Sequence, residues 1–311
     1  MAGPARSSGY ANYSSSSASG FIPEYWSGKL IEKMYPATVF GDIANTDYEG
    51  EIKNQGDTVK IRTAPNITIR DYEIGQDLVY ETPTSDLVEL QINKAKYFGF
   101  QVASVDAYQS DLDLMNSFSE DAGEQMAVAI DRSILGVAYA EAAADNAGAT
   151  AGAKSGSYNM GAAGAPVLLT KDNIIDFIVD TGSVLYEQDM PGTDRKIVLP
   201  VWACGLIKKS EIKDASISGD GTSVMRNGRI GMIDNYTVYS SNNLSTVTDS
   251  GKQVTNAMFC HKKALTFAAQ MTEMDEIPHP TRFGRLVRGL NVYGSKVIDK
   301  KAMGHAYIAK G

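Results

Sequence analysis

Hydrophobic positions recur along this chain with two different periods, and the change of period divides it. From Ser110 to Ala144, apolar side chains fall at Met115, Phe118, Ala122, Met126, Ile130, Ile134 and Val137. Steps of three and four fit the 3.6-residue period of a helix. At 1.5 Å per residue that helix is roughly 50 Å long, against an average of about 11–12 residues. Ser110, with Asp113 three residues on, resembles a capping box. The remaining face carries Asp111, Asp113, Glu120, Asp121, Glu124, Asp131 and Glu141 against one cation, Arg132, so a solvated acidic face is expected. The absence of a heptad seam with alternating charges argues against a simple coiled coil. Two readings follow: a core helix of an α+β domain, or a spine along which an elongated subunit is laid out.

Upstream the period shortens to two. Thr58 to Thr63 alternates polar and apolar side chains, and Ile67 and Ile69 continue the alternation past an Ala64-Pro65-Asn66 turn. Leu78-Val79-Tyr80 opens a second run, and Asp86 to Phe100 a third with Leu87, Val88, Leu90, Ile92, Tyr97, Phe98 and Phe100. This is the pattern of half-exposed antiparallel strands. A hairpin of two or three such strands buries little and needs something to lie upon. Further upstream, Pro23, Glu24, Tyr25, Trp26, Leu30, Ile31 and Met34 predict a short amphipathic helix that ends at Pro36. Val39, Phe40 and Ile43 read as extended. The first 20 residues are rich in Ser, Gly and Ala and have little to bury, so they form either a passive tail or an arm that orders against neighbouring subunits.

Downstream of the spine, residues 145–166 are almost wholly Ala, Gly, Ser, Asn and Thr, the composition of a flexible connector. A compact unit follows. Thr170 is its expected N-cap, with Ile174, Ile175, Phe177, Ile178 and Leu185 on the apolar side of a helix. Met190 to Asp194 makes a turn, Arg195 to Pro200 a buried strand, and Val201 to about Ile212 a second helix. Gly228 to Tyr239 and Val254 to Phe259 are strands on either side of a polar loop, Ser240 to Gly251. The last stretch returns to β structure at Ala264 to Ala269, Arg285 to Tyr293 and Ala306 to Ala309. It holds nine Lys/Arg and four Asp/Glu between His261 and Gly311. Arg282, Arg285 and Arg288 form its basic patch. The expectation is a C-terminal sheet packed beside the spine with opposed charges facing each other. The boundaries are thus 1–22 for an arm, 23–49 for a helix and extended segment, 50–103 for the hairpin and its return, and 104–148 for the spine. A connector spans 149–166, the compact α+β unit 167–260, and the closing strands 261–311.

Composition removes several function classes. The chain has 311 residues, 43% hydrophobic and 21% charged, enough for one large or two ordinary domains. A formal charge of -8 argues against a surface built mainly to hold nucleic acid. Cys204 and Cys260 have no C-x-x-C partner and read as reduced, buried thiols. There is no signal-peptide pattern and no apolar run long enough to span a membrane. G-x-S-x-G, P-loop and G-x-G-x-x-G patterns are absent; the lone Gly219-Asp220-Gly221 sits in a polar loop. His261, His279 and His305 lie far apart, none at metal-ligand spacing. Asp111-Leu112-Asp113 begins like an EF-hand loop, but Met115, Asn116 and Ala122 stand where a ligand oxygen, Gly and Glu are needed. The expectation is no enzyme, no cofactor and no metal.

The succession of segments resembles the major capsid proteins of tailed phages, which share the Hong Kong-97 fold with encapsulins. Gly56-Asp57-Thr58-Val59 through Lys94-Ala95-Lys96-Tyr97-Phe98-Gly99-Phe100 is similar to the family's extended hairpin, the E-loop, and its return. Asp106 to Gly136 looks like the spine helix of the peripheral (P) domain, and Met190-Pro191 through Leu199-Pro200 like a junction in the axial (A) domain. Gly228 to Ile233 with Tyr236 to Leu244, His261 to Ala268, and Val292-Tyr293-Gly294 resemble the later strands. The likeness covers roughly residues 23–300. It implies an α+β fold of the Hong Kong-97 type, with residues 167–260 as A-domain and 261–311 closing the P-domain. It implies self-assembly into pentamers and hexamers of an icosahedral head around double-stranded DNA, in the virion and assembled in the host bacterial cytoplasm. Scaffolding and portal proteins are the implied partners, decoration proteins a further option, and no membrane is involved. On the E-loop, Arg62, Arg70, Glu73 and Asp77 would pair with opposite charges on an adjacent subunit. Some family members cross-link an E-loop Lys to a P-domain Asn; Lys53, Lys60 and Asn291 are present here without a motif, and no cross-link is expected. The alternative is an encapsulin-like compartment enclosing a cargo enzyme.

Overall fold

The computed structural model describes residues 38–47, 58–62, 65, 67–83, 87–103, 114–210 and 229–311. The predicted helix at 23–36, the Ser110–Asp113 capping box, Lys53 and the Gly219–Gly221 loop lie outside these. In chain order the elements are α1 (Phe40–Ile43), β1 (Thr58–Arg62), β2 (Leu87–Gln91), β3 (Lys94–Ala103), α2 (Leu114–Ala138), β4 (Val167–Leu169), α3 (Ile174–Glu187), β5 (Arg195–Leu199) and α4 (Val201–Lys209). They continue with β6 (Arg229–Ile233), β7 (Tyr236–Ser240), β8 (Thr246–Asp249), β9 (Lys252–His261), β10 (Leu265–Pro278), β11 (Gly284–Val297) and β12 (Met303–Lys310).

The strands form three sheets. A seven-stranded sheet runs β4-β12-β9-β5-β7-β6, with β8 hung on β9. Its middle strands read as nearly continuous buried runs, from Val254 to His261 in β9 and from Met303 to Ala309 in β12, broken only at half-buried His305. Runs of this kind belong to strands covered on both faces. That is why β12 sits between β4 and β9, joined in parallel to one and antiparallel to the other. The last strand was expected to close the spine's own unit; two-sided burial places it in the neighbouring sheet instead. α3 lays Ile174, Phe177, Ile178, Val184 and Leu185 against this sheet, all buried with Ile197, Leu199, Phe259 and Ile308. Gly304 lets the Phe259 ring lie flat on the strand: a Cβ there would stand 2.1 Å from Phe259 Cζ.

The second body is the three-stranded sheet β10-β11-β3, with α2 packed beside it. β10 and β11 make a long hairpin in register from Leu265↔Val297 to Pro278↔Arg285. α2 runs for 25 residues and then tightens into 3-10 turns at Tyr139–Glu141 and Ala144–Asn146, so the regular spine is shorter than the 3.6 period suggests. At the start of the described chain, α1 is a helical turn and not the expected extended segment. The cause is distant in sequence: the Asp131 carboxylate of α2 accepts the Val39 and Phe40 amides.

Three other local readings change. Residues 145–166 are small not for flexibility but because the backbone runs close to other chain. Ala151 pairs with Tyr158, Met160 is fully buried, and Tyr307 N–H reaches Met160 O at 2.7 Å. Gly161, at φ 84°, lies where a Cβ would stand 2.2 Å from Tyr307 O. Asn173, not Thr170, takes the N-cap position of α3; its side chain accepts from Thr170 N–H at 2.7 Å and donates to Leu168 O at 2.9 Å, bracing the preceding turn. The polar stretch 240–251 contains β8, which pairs Thr246↔Thr255 through Asp249↔Lys252. Polarity suits a strand that covers a sheet edge with its outer face in water.

Two glycine substitutions separate packing from propensity. Gly304→Ala should lower the unfolding free energy of the unassembled subunit by about 1–3 kcal/mol through overpacking against Phe259. Gly123→Ala on α2, where a Cβ meets nothing within 4 Å, should raise it by about 0.5–1 kcal/mol. Urea unfolding followed by circular dichroism measures both, and equal effects would contradict the packing described.

Candidate contact surfaces

The described body is held by buried polar joints. Asp131 is fully buried although the helical pattern put it on a solvated acidic face. Its Oδ1 accepts Val39 N–H at 3.2 Å and Phe40 N–H at 3.0 Å, and its Oδ2 accepts Asn243 Nδ2 at 2.7 Å. Burial raises its pKa, and the bonds from Asn243 and the two amides oppose that rise. One side chain thereby ties α1, the spine and the loop after β7. Arg195 is a second buried charge. Nε donates to Pro191 O at 2.8 Å, Nη1 to Gly182 O at 3.0 Å and Nη2 to Met190 O at 2.7 Å, while its guanidinium lies 3.8 Å from the Tyr186 ring centroid. The cation thus sits at the carbonyl-rich C-terminal end of α3, where the helix dipole favours it. Asn146, also buried, donates to Lys301 O and Met303 O at 2.7 and 2.9 Å and fastens the end of the spine to β12.

The outside of the molecule is left open in specific places. β1 and β2 form a five-rung ladder from Thr58↔Gln91 to Arg62↔Leu87, and its base buries Ile61, Leu90 and Ile92 against Ala268. Beyond it, every described residue from 67 to 83 is exposed and none is in a strand. Ile69 is 90% exposed, Ile74 100% and Tyr80 87%, with Ile67, Tyr72, Leu78 and Val79 also exposed. Thr68 N–H reaches Glu81 Oε1 at 2.6 Å, so the two legs lie side by side without a ladder. The strand-like alternation read in this stretch has no partner strand within the described chain. Arg62, Arg70, Glu73 and Asp77 are all exposed here, and none forms an ion pair with another described residue. The structure therefore brings these four to one loop and its root.

The arginines of the C-terminal hairpin behave differently. Arg288 Nη2 meets Asp275 at 2.7 Å and Arg285 meets Glu276, both across the β10–β11 ladder. Two of the three residues expected to make a basic patch are therefore neutralised on their own hairpin. The sheet does pack beside α2, but the opposed charges meet mainly within the sheet. Lys296 and Glu141, at 2.9 Å, link β11 to the turn that follows the spine. Arg282 sits in the hairpin tip, where its N–H donates to His279 Nδ1 at 3.0 Å, beside Phe283 at 92% exposure. Lys60 faces Glu89 at 3.6 Å, and Asn291 lies in β11 opposite Thr272 and Lys96.

Nothing in this geometry assembles a reaction centre. Cys204 and Cys260 are buried, and burial pushes both thiols up to about 12. His305 Nε2 lies 2.9 Å from Asn256 Oδ1, with the ring 4.9 Å from that of Tyr139, and burial lowers its pKa to about 4. Among the described residues no group of His, Cys, Asp and Glu is placed to hold a metal ion, and no helix is long and apolar enough to cross a membrane. Sequence reasoning missed Asp131 and Asn243 as a joint. A carboxylate standing in phase with Ile134, Leu135 and Ala138 on the helix was the available signal.

Comparison with known proteins places this architecture. A family model described as phage capsid protein matches residues 88–304. Among solved structures, a chain of Mycobacterium phage Che8 superposes with a TM-score of 0.73 at 24% identity, covering 92% of this chain and 96% of that one. The capsid of cyanophage P-SCSP1u gives 0.67 at 14% identity, covering 99% and 100%. The capsid of a native GTA particle gives 0.65 at 14% identity, covering 96% and 99%. No curated protein matches the sequence.

The buried joints predict a pH dependence with a definite sign. His305 titrates at about 4 when folded, against 6.5 as its ordinary value, so the unfolded chain takes up the proton first. Its contribution is fully present above pH 6.5 and is lost as pH falls toward 4. The raised pKa of Asp131 acts in the opposite sense, the folded state protonating first. The urea midpoint of the unassembled subunit should therefore fall between pH 7 and 5, and His305→Gln should flatten that fall. Asp131→Ala, which leaves buried donors without an acceptor, should cost on the order of 3 kcal/mol at pH 7.

Proposed function

We propose a scheme of subunit contacts for this chain, which belongs to the phage capsid protein family. It is a structural major capsid protein of the virion shell and acts by self-assembly, not by catalysis. The finer reading is that copies form pentamers and hexamers of an icosahedral head around double-stranded DNA. Scaffolding and portal proteins, and decoration proteins where present, would join it in the host bacterial cytoplasm. An encapsulin-like compartment is the less favoured alternative, since the matching family model is that of phage capsids.

One observation carries the contact scheme. Residues 67–83 present seven large apolar side chains to solvent on a two-stranded stalk, which an isolated subunit has no reason to do. The loop corresponds to the E-loop of the resemblance, and in this reading it lies across an adjacent subunit. Its apolar residues are covered there, while Arg62, Arg70, Glu73 and Asp77 meet opposite charges. Contacts of this kind are heterologous, a patch on one copy meeting a different patch on the next, and they close around rotation axes. A shell repeats each contact many times, so a weak pairwise interaction suffices.

Reversing Arg62 and Arg70 together to Glu tests the scheme. Both side chains are exposed and far from either core, so the variant should keep the circular dichroism spectrum and urea midpoint of the parent. Under conditions where the parent assembles, it should give no closed shells by negative-stain electron microscopy and elute as small species on size exclusion. Normal shells from the folded variant would refute the role given to these arginines.

A further inference from the structure

A groove of about 460 Å³ lies open between β3 and the first half of α2. Phe98, Phe100, Phe118, Ala122, Met126 and Ala129 give it an apolar floor, and Lys96 and Asp121 mark its rim. Phe100 and Phe118 meet edge to face at 5.9 Å, yet Phe118 stays 40% exposed. Further along, the same helix is fully covered, with Ile130, Ile134 and Leu135 in the core. A helix packed at one end and bare at the other has a missing neighbour.

We propose that residues 23–36 of the same chain occupy this groove as an amphipathic helix. The first argument is where the described chain begins. The amides of Val39 and Phe40 are bound by Asp131, two residues beyond Ala129, the last groove residue on α2. Met126 lines the groove and also packs against the core cluster that Phe40 joins. The preceding segment thus enters beside the groove's end, and at about 3.3–3.6 Å per residue the step from residue 36 to 39 spans that distance. The second argument is length. From Phe118 to Ala129 the groove follows α2 for about 16 Å, which matches a helix from Glu24 to Tyr35 at 1.5 Å per residue. The third is chemistry. Trp26, Leu30 and Met34 recur every four residues, the anchor spacing of a helix seated in a groove. Lys29 and Lys33 complement the acidic edge of α2, where Glu120 and Glu124 are exposed. Glu24 and Glu32 complement Lys96. The seat makes this segment a clamp on the free half of the spine, independent of where the loop 67–83 lands.

Disulfide trapping tests the seat. Leu30→Cys with Ala122→Cys in one subunit should form an intrachain bond under mild oxidation, seen as a faster monomer band on a non-reducing gel. Buried Cys204 and Cys260 do not compete. A cross-linked dimer from an equimolar mixture of the two single variants would instead place the segment of a second copy in the groove and overturn the proposal. In a Trp202→Phe background, Trp26 is the only indole left. Docking predicts blue-shifted emission protected from acrylamide, and Phe118→Asp should raise its quenching severalfold without changing the urea midpoint of the seven-stranded sheet. Emission typical of a solvated indole with the groove intact would also overturn the proposal, whatever the gel shows.

Discussion

The arrangement of this subunit depends on one buried carboxylate. Asp131 stands in the middle of the spine helix with no exposed surface, and the only charge beside it, on Arg132, is a minor influence on its ionisation. An isolated carboxylate in that position would be expensive to bury. Three donors make it tolerable, and they come from three separate parts of the chain: two amides at the start of α1 and the amide of Asn243 beyond β7. Each donor would be unsatisfied without it. The direction of chain entry, the rotation of the spine and the position of the loop after β7 are therefore set together. A hydrophobic contact could supply comparable burial, but it could not specify which backbone groups meet, because apolar packing is not directional.

Arg195 does the same for the seven-stranded sheet, from the other charge sign. Its five N–H donors reach the carbonyls of Gly182, Met190 and Pro191, at the end of α3 and in the turn after it. These are groups that a helix end and a turn leave unpaired. Lys196 next to it donates to Asp42 O, so adjacent residues of one strand fasten the α3 turn and the α1 segment. The two bodies are thus tied by directional bonds at fixed points. Rigidity of that kind suits a subunit whose surfaces must meet those of many copies in repeated geometry.

Much of this was legible in the sequence, and the failures have physical causes. Amphipathic spacing marked α2 and α3, and alternation marked β1, β2 and β3, because in those elements one face is buried and the other is not. Composition misled at 145–166, where Ala and Gly serve close backbone approach to β12 and not flexibility. β12 itself was assigned to the wrong body. A short apolar run says that both faces are covered, but pairing partners far away in sequence leave no local mark. Asp131 was read as solvated because polar residues usually are, although its helical phase with Ile134, Leu135 and Ala138 pointed inward. Of the contact residues, exposure and clustering place Arg62, Arg70, Glu73 and Asp77 on one open loop and its root. Arg285 and Arg288 are drawn back into their own hairpin by Asp275 and Glu276, a pairing that only strand register could reveal.

The same register argument explains why residues 67–83 alternate like strands yet make none. Alternation records the environment for which a sequence is suited, with one face dry and one wet. Within the subunit that environment exists for Val59, Ile61, Leu90 and Ile92, which lie on the sheet near Ala268 and Val292. It does not exist for Ile69, Ile74 or Tyr80, which project past the last rung of the β1–β2 ladder. A pattern fitted to a surface that the chain does not itself provide is a pattern fitted to another chain. The apolar side chains left in water and the polar atoms sealed inside are therefore complementary features. The second group fixes the subunit so that the first can be presented in one geometry, with its burial completed only in the shell.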